Sequence, residues 1–241
     1  MKTINDNDNW DQHFSKMNWS ALEIADKKMH NIRRMIKDEM GREVVKIFKI
    51  MKSNPRVFRV ELDDGSVLRF ETIPLKVLHR IEFQELALLH HHDGMPKIIF
   101  YKIIDNIIYK FSEWIYGKIV AEVVDVERVH IKTGEMLAKL NNIQDPKTGL
   151  FLTNGEISST NLIWTKEENI FIIDHDRFTA ENENGLDRMV VKNIAKRIQY
   201  KDRMHMFLKG YSKYRDIDGV LKCGKKLNWT WGGKKLKNKK M

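Results

Sequence analysis

The sequence predicts an α+β protein in two parts, an antiparallel sheet with one helix followed by a mainly helical half. Three observations carry that prediction. Residues 44–51, 56–62 and 66–73 are strand-like runs separated by Asn54-Pro55 and Asp63-Asp64-Gly65, both turn signals, so they read as an antiparallel meander. Residues 123–140 and 187–214 read as helical, the second stretch through Met189, Val190, Ile194, Ile198, Met206, Phe207 and Leu208. Between them, Leu162-Ile163-Trp164 and the apolar run 170–173 flank a charged turn at 166–169, the pattern of a hairpin.

A chain of 241 residues is long enough for one large domain or two small lobes, each with a proper core. Cys223 is the single cysteine, which excludes an intramolecular disulfide and favours a reducing compartment. The most apolar stretch, 98–119, is interrupted by Lys102, Asp105, Lys110 and Glu113, well short of the roughly 18 apolar residues a membrane span needs. The first residues, MKTINDNDNWDQ, are acidic and polar where a signal peptide is basic and then apolar. The expectation is a soluble, cytoplasmic protein. Eight lysines and no acid lie in 219–241, so of the formal charge of +10 only +2 belongs to the rest of the chain. The basic character belongs to the tail.

In chain order, Ser20-Ala21-Leu22-Glu23 is a capping box, and Leu22, Ala25, Met29, Ile32, Ile36 and Met40 follow at helical spacing until Gly41. That predicts an amphipathic helix packed on the meander, after a lead-in in which Trp10, Phe14 and Trp19 can dock. Pro74 ends the third strand, and 75–92 reads as a helix carrying Glu82 and Glu85. His90-His91-His92 point in different directions on a helix, so they predict a helix end favoured by partly positive side chains rather than a metal site. Two further strands, 98–103 and 106–112, meet at Asp105-Asn106. The tail interleaves lysines with Leu227, Trp229, Trp231 and Leu236, which suits an anionic membrane surface, where each lysine is worth about 1 kcal/mol. Nucleic acid would attract the same lysines, but no nucleic-acid fold motif accompanies them. The alternative is a solvated, disordered tail.

The stretch that organises the chain is 151–178. The hairpin brings its outer ends together, with Glu156 and Asn161 on one side and Asp174 on the other. A carboxylate, an amide and a second carboxylate are oxygen ligands suited to magnesium, with one group left to act as a base. The alternative from the residues alone is that Asn154, Gly155 and Asn161 are turn formers and Asp174 ends a strand.

This stretch resembles the catalytic and metal-binding segment of the protein-kinase-like fold, in the branch of aminoglycoside kinases, choline kinases and small lipopolysaccharide core kinases. That branch carries His-Gly-Asp, four residues, Asn, then an apolar strand ending in Asp. Here the frame reads Asn154-Gly155-Glu156, four residues, Asn161, then Ile172-Ile173-Asp174. The resemblance implies a bilobal fold: an extension and helix in 1–42, a nucleotide-covering lobe in 43–116, a lobe with the catalytic segment in 117–218, and a basic tail in 219–241. It implies Glu156 as catalytic base, Asn161 and Asp174 as ligands of Mg2+, and Asp176 as a second acid. ATP would be held by Arg69 in Val67-Leu68-Arg69-Phe70, by Glu82 steadying that cation with Glu85 as the fallback, and by the backbone of a hinge containing Glu113 and Ile115. Trp114 or Tyr116 would line the adenine pocket or pack the core. The closest likeness is to lipopolysaccharide core heptose kinases, through the short chain, the abbreviated C-terminal lobe, Leu186-Asp187-Arg188-Met189 and the basic tail. That implies phosphorylation of a sugar hydroxyl on a glycolipid by an enzyme held peripherally on the inner face of the membrane. Arg188, Lys192, Lys196, Arg197 and Lys201 would form a cationic face for an acidic substrate or an ordinary solvated one. Three letters depart from the family pattern: Glu156 for Asp, Asn154 for His and Arg69 for Lys. They leave two alternatives, a pseudokinase scaffold and a kinase of a small soluble alcohol.

Overall fold

The computed structural model describes residues 19–21, 27–50, 57–123, 125–174, 177–197, 201–226, 230–231 and 234–235. The chain divides into two compact units, Met1–Ile81 with Pro96–Tyr116, and Glu82–Met95 with Gly117–Met241. An antiparallel sheet dominates the first and helices the second, as the α+β expectation requires.

The first unit contains β1 (Trp19–Ala21), α1 (Lys27–Met40), β2 (Val44–Ile50), β3 (Val57–Leu62) and β4 (Val67–Pro74). After a 3-10 turn at Leu75–Val77, α2 (His79–Leu89) passes into the second unit, and the chain returns for β5 (Ile98–Ile104) and β6 (Ile107–Glu113). These strands form one six-stranded sheet in the order β1-β2-β3-β4-β6-β5. Strand side chains alternate in direction, so Phe58, Val60, Leu62, Leu68, Phe70 and Phe111 fall on one face. Met29, Ile32, Met35 and Ile36 of α1 pack there, each 4% exposed or less. The rings of Phe58, Phe70, Phe111 and Phe100 run across the strands at centroid spacings of 5.3, 4.8 and 4.4 Å. The opposite face carries Arg59, Glu61, Arg69, Glu71, Lys110 and Ser112, polar residues that alternate with the core set.

The second unit contains β7 (Lys118–Ile119), α3 (Val126–Leu140), β8 (Phe151–Asn154), β9 (Leu162–Trp164), β10 (Ile170–Ile172) and β11 (Phe178–Glu181). It continues with α4 (Glu183–Arg197), α5 (Lys201–Tyr211), α6 (Asp218–Lys226), β12 (Thr230–Trp231) and β13 (Lys234–Lys235). Sheets β10-β9-β7 and β11-β8 are small, and their buried strands share the core with the helices. Helices α3 and α5 meet at two glycines. A Cβ on Gly134 would stand 2.0 Å from the Phe207 carbonyl oxygen, and one on Gly210 would stand 1.9 Å from that of Ile131. Two backbones this close leave room for hydrogen only, so the helix crossing selects both glycines. Among the described residues no helix is long and apolar enough to cross a membrane.

Four expected boundaries move. Ser20 does not cap a helix: it lies in β1, paired with Lys49, and α1 begins at Lys27. Pairing with the β2 edge satisfies backbone groups that a cap would satisfy only in part. Leu22 and Ala25, like Trp10 and Phe14, lie outside the described residues. The helix expected over 75–92 is α2 alone. It ends before the histidines, His91 takes a left-handed φ of 54°, and His92 is 5% exposed. The His92 ring bridges the Met136 carbonyl and the Gly94 amide, and burial pushes its pKa down, so it is a neutral core histidine rather than a positive helix terminus. Helix α3 starts at Val126 instead of 123, after a 3-10 turn at Val120–Glu122, because the Asp125 carboxylate accepts the Arg128 amide. The helical reading of 187–214 is met by α4 and α5, with 198–200 outside the described residues, and α4 begins earlier, at Glu183, where Asn182 Oδ1 accepts the Gly185 amide at 2.8 Å.

Candidate active site

The β9–β10 hairpin is antiparallel with Trp164 opposite Ile170 and Leu162 opposite Ile172. Both strands are almost wholly buried, which anchors the hairpin and leaves its polar ends to be positioned. The pairing runs one step past the strands, where the Ile173 amide donates to the Asn161 carbonyl at 3.0 Å. That step sets Asn161 beside Asp174, and Asn161 Nδ2 donates to Asp174 Oδ2 at 3.2 Å. Two of the three residues singled out in this segment are therefore in direct contact.

The third, Glu156, stands in the loop between β8 and β9, and that loop is held by two buried asparagines. Asn154 Nδ2 donates to the Asp174 carbonyl at 3.2 Å, while its Oδ1 accepts the Glu156 amide at 2.8 Å. One side chain thus ties the Glu156 loop to the backbone of Asp174. Asn193, reaching from α4, donates to the Asn154 carbonyl at 2.8 Å and accepts the Ile157 amide at 3.3 Å. The Gly155 amide donates to the Arg177 carbonyl at 2.9 Å, and a Cβ on Gly155 would come within 2.9 Å of the Met189 methyl group. Asn154 stands where the resembling family has His, and it supplies one donor and one acceptor to the loop. Nothing in the sequence marked Asn193, which is 39 residues from its main partner.

The Glu156 carboxylate accepts from Arg177 Nε at 3.3 Å, with the arginine side chain 68% exposed. An exposed pair of this kind contributes little to stability, so its effect is to orient Glu156. Asp176 and His175 lie outside the described residues. His130 sits below the loop in a small apolar cavity shared with Ile157, Asn193 and Phe207. Burial, helped by the Arg203 cation, pushes its pKa down to about 4.

In the first unit, Arg69 lies 3.6 Å from Glu71, and Glu71 also pairs with the fully buried Lys110 at 2.5 Å. Glu113 closes the β6 strand by accepting the Lys97 amide on its carboxylate at 2.8 Å. Trp114 is 6% exposed with the Arg59 guanidinium 5.5 Å from its ring, and Ile115 and Tyr116 are half-buried. In the second unit, Glu82 is half exposed with Lys147 Nζ at 3.7 Å, and burial next to Glu82 raises the Glu85 pKa. Glu71, Lys110 and Arg59 escape a motif-based reading because cross-strand neighbours are set by register, which becomes visible only when the strands are paired.

No family model matches the sequence. No curated protein matches it either. Solved structures do match. A spectinomycin phosphotransferase with ADP and spectinomycin superposes with a TM-score of 0.64 at 10% identity, over 81% of this chain and 83% of its own. A macrolide 2'-phosphotransferase from Brachybacterium faecium gives 0.57 at 12% identity, over 82% and 88%. An aminoglycoside-3'-phosphotransferase of type VIII gives 0.56 at 11%, over 82% and 97%. The fold is that of the aminoglycoside phosphotransferases. With so little identity, the aminoglycoside-phosphotransferase likeness is one of architecture, and the chemistry is argued from the side chains above.

In the second unit, Asn161 and Asp174 have the chemistry of a share in a hard divalent cation's shell. Among the described residues no group of three or more His, Cys, Asp or Glu side chains could hold a metal by itself. Asn161 and Asp174 supply an amide and a carboxylate from adjacent positions, a sufficient protein share for magnesium, which keeps water and phosphate oxygens as its other ligands. On the first unit's polar face, Arg69 Nε is buried without a hydrogen-bond partner, an orphan donor suited to an anion.

Proposed function

We propose that this protein transfers the γ-phosphoryl group of ATP to an alcohol hydroxyl. The observation that carries the reading is the Asn161–Asp174 contact, held by Asn154 to the backbone of Glu156. Asn161, Asp174 and the backbone of Glu156, from separate points of the chain, are tied together through amide side chains, one of them the fully buried Asn154, an expense of polar burial that a mere turn does not require.

Glu156 orients the acceptor hydroxyl and takes its proton as the acceptor oxygen bonds to the γ-phosphorus and the bond to the β-phosphate oxygen breaks, leaving ADP. Asn161 and Asp174 would hold magnesium, which supplies charge neutralisation to the phosphates when bound. Asn154 and Asn193 hold the loop so that Glu156 does not have to be ordered at the moment of reaction. Glu in place of Asp extends the carboxylate by about 1.5 Å. The Arg177 contact restrains the added rotor.

For the acceptor, the finer reading is a sugar hydroxyl of a lipopolysaccharide core, with the chain cytoplasmic and peripheral to the membrane. It is supported by exposed Arg188 and Lys192 on α4, the helix that clamps the loop, and by the lysines of 219–241. A small soluble alcohol is the competing acceptor, as the antibiotic phosphotransferases of the same fold suggest. A scaffold without turnover is favoured by one observation, the engagement of the Glu156 carboxylate by Arg177.

The test is thermal stabilisation by ATP, with and without magnesium, of the intact chain and of Asp174→Ala. Magnesium-dependent stabilisation that disappears in the variant is expected; absence of any shift at millimolar ATP would remove the phosphotransferase reading. Binding to anionic vesicles separates the acceptors. The informative truncation starts after Lys226, because Val220 of α6 is fully buried and Gly219 abuts Asp187 of α4.

A further inference from the structure

Among the described residues the six-stranded sheet ends at β5, and that edge is apolar. Exposed apolar side chains scattered singly over a surface need no account, but these are gathered. Of the seven large apolar residues exposed among the described ones, Ile99, Ile103, Ile104 and Ile107 lie on this strand and its turn, at 38, 48, 38 and 39%. Asp105 and Asn106, with φ of 50° and 60°, make the two-residue turn of the type I′ kind that joins β5 to β6 and sets Ile104 opposite Ile107. The pair closing such a turn is hydrogen-bonded, and bonding alternates along an antiparallel ladder. The backbone groups of Ile104 and Lys102 therefore face β6, and those of Ile103 face away from the sheet.

Proteins blunt such edges with lysine, proline or a bulge. The bulge of β5 lies between Ile98 and Phe100, and beyond it residues 100–104 pair one for one with 107–111. Its only charged residue, Lys102, is drawn onto α1 by Glu39 at 2.7 Å, and it contains no proline. The distal half of the strand is thus left as a template for another strand. The charges at its two ends say which. Lys97 is fixed where β5 begins, its carbonyl accepting the Glu113 amide at 2.9 Å and its own amide donating to the Glu113 carboxylate at 2.8 Å. Asp105 stands where β5 ends, and both side chains are exposed and outside the ion pairs of the described residues. Antiparallel pairing of β5 with the same strand of a second copy brings each Lys97 to the Asp105 end of the other, twice by symmetry. Parallel pairing would set lysine beside lysine, which repels. A peptide of one charge sign would satisfy one end and oppose the other. The aromatic row Phe58-Phe70-Phe111-Phe100 also reaches this edge, where Phe100 is only half-buried and would gain cover.

We propose that the β5 edge is a self-association surface, on which a second copy of this chain docks its own β5 antiparallel to extend the sheet across a two-fold axis. Main-chain pairing beyond Ile103 supplies the ladder, the isoleucines supply the apolar contact, and Lys97 with Asp105 fixes the direction. A single strand pair is small for a specific interface, so dissociation at about 1–100 μM is expected. The proposal is independent of the phosphotransferase reading.

The experiment is analytical ultracentrifugation of the full chain from about 1 to 300 μM, a span that brackets the expected dissociation constant. It is repeated on Ile103→Lys, Lys97→Glu and Asp105→Lys, and on a mixture of the last two. The wild type should pass from monomer to twice the chain mass. Ile103→Lys should weaken association about tenfold or more, because the new charge would be buried against the isoleucines of the other copy. Lys97→Glu sets acid against acid at both ends and Asp105→Lys sets lysine against lysine, so each alone should also weaken it about tenfold. Their mixture pairs Glu with Lys at one end and Lys with Asp at the other, and should associate as the wild type does. Should Asp105→Lys fail to fold in its left-handed turn, Asp105→Asn keeps the turn, and its mixture with Lys97→Glu should associate better than Lys97→Glu alone. A wild type that stays monomeric throughout overturns the proposal and hands the edge to a different partner. A dimer untouched by Ile103→Lys lies elsewhere on the molecule and overturns it too. A mixture no tighter than its separate components would remove the antiparallel self-pairing.

Discussion

Asn193 shows how much one side chain can govern. It is 4% exposed, and its amide satisfies both the Asn154 carbonyl and the Ile157 amide on either side of Glu156. Asn193→Ala would leave two buried backbone groups unpaired at about 1–3 kcal/mol each, so a loss of about 2–6 kcal/mol in denaturant unfolding is expected. Asn193→Asp keeps the acceptor but loses the donor, and should lie between the two. If Asn193→Ala unfolds at the wild-type midpoint, the clamp on the loop is not what holds it. At this scale the sequence was informative where residues act through neighbours along the chain. Asn161 and Asp174 follow from the length of a hairpin, since its strands dictate which residues meet at its open end. Asn193, Glu71 and Lys110 act through space, and no local spacing announces them.

Helices α3 and α5 make the corresponding case for elements. Their crossing depends on Gly134 facing the Phe207 carbonyl and Gly210 facing that of Ile131, at distances where any Cβ must push the backbones apart. Gly134→Ala or Gly210→Ala should therefore destabilise by about 3 kcal/mol or more, although alanine is the better helix former. Gly65 is the control: it has φ +80° but open space around a Cβ, so Gly65→Ala should cost only the left-handed strain of about 1–2 kcal/mol. Equal midpoints for the two classes in chemical unfolding would show that the helices can separate cheaply. Elements were legible where turn chemistry punctuates the chain. Asn54-Pro55 and Asp63-Asp64-Gly65 separate strands that occupy 44–50, 57–62 and 67–74. The start of α1 was not legible, because a capping-box pattern at Ser20 describes only a local preference and the β2 edge offers those residues a ladder.

For the whole molecule, the buried histidines set how stability responds to acid. Burial holds His92 below the ordinary 6.5, and burial with Arg203 nearby holds His130 at about 4. A group whose folded pKa is depressed binds more protons when unfolded, so stability rises with pH across the interval between the two values. For His130 that contribution is complete above about 6.5 and is lost as the pH falls toward 4. Asp145, whose carboxylate accepts the Thr148 hydroxyl and the Lys147 amide, and Glu135, where Lys213 and Lys132 outweigh burial, are depressed too. Their losses come later, below their ordinary 3.8 and 4.5. Asp187, raised mainly by burial and then by Glu183, runs the other way: its folded form holds the proton more tightly, so it costs stability as the pH rises and partly offsets the acid loss. The melting temperature should therefore begin to fall below about pH 6.5, ahead of carboxylate titration. His130→Gln should flatten the curve between 6.5 and 4.5 while leaving the steeper carboxylate limb in place. A wild-type curve level down to pH 4.5, or one that His130→Gln does not alter, would show that the cavity beneath the Glu156 loop admits enough water to charge the imidazole, and the loop would then rest on a hydrated floor rather than an apolar one.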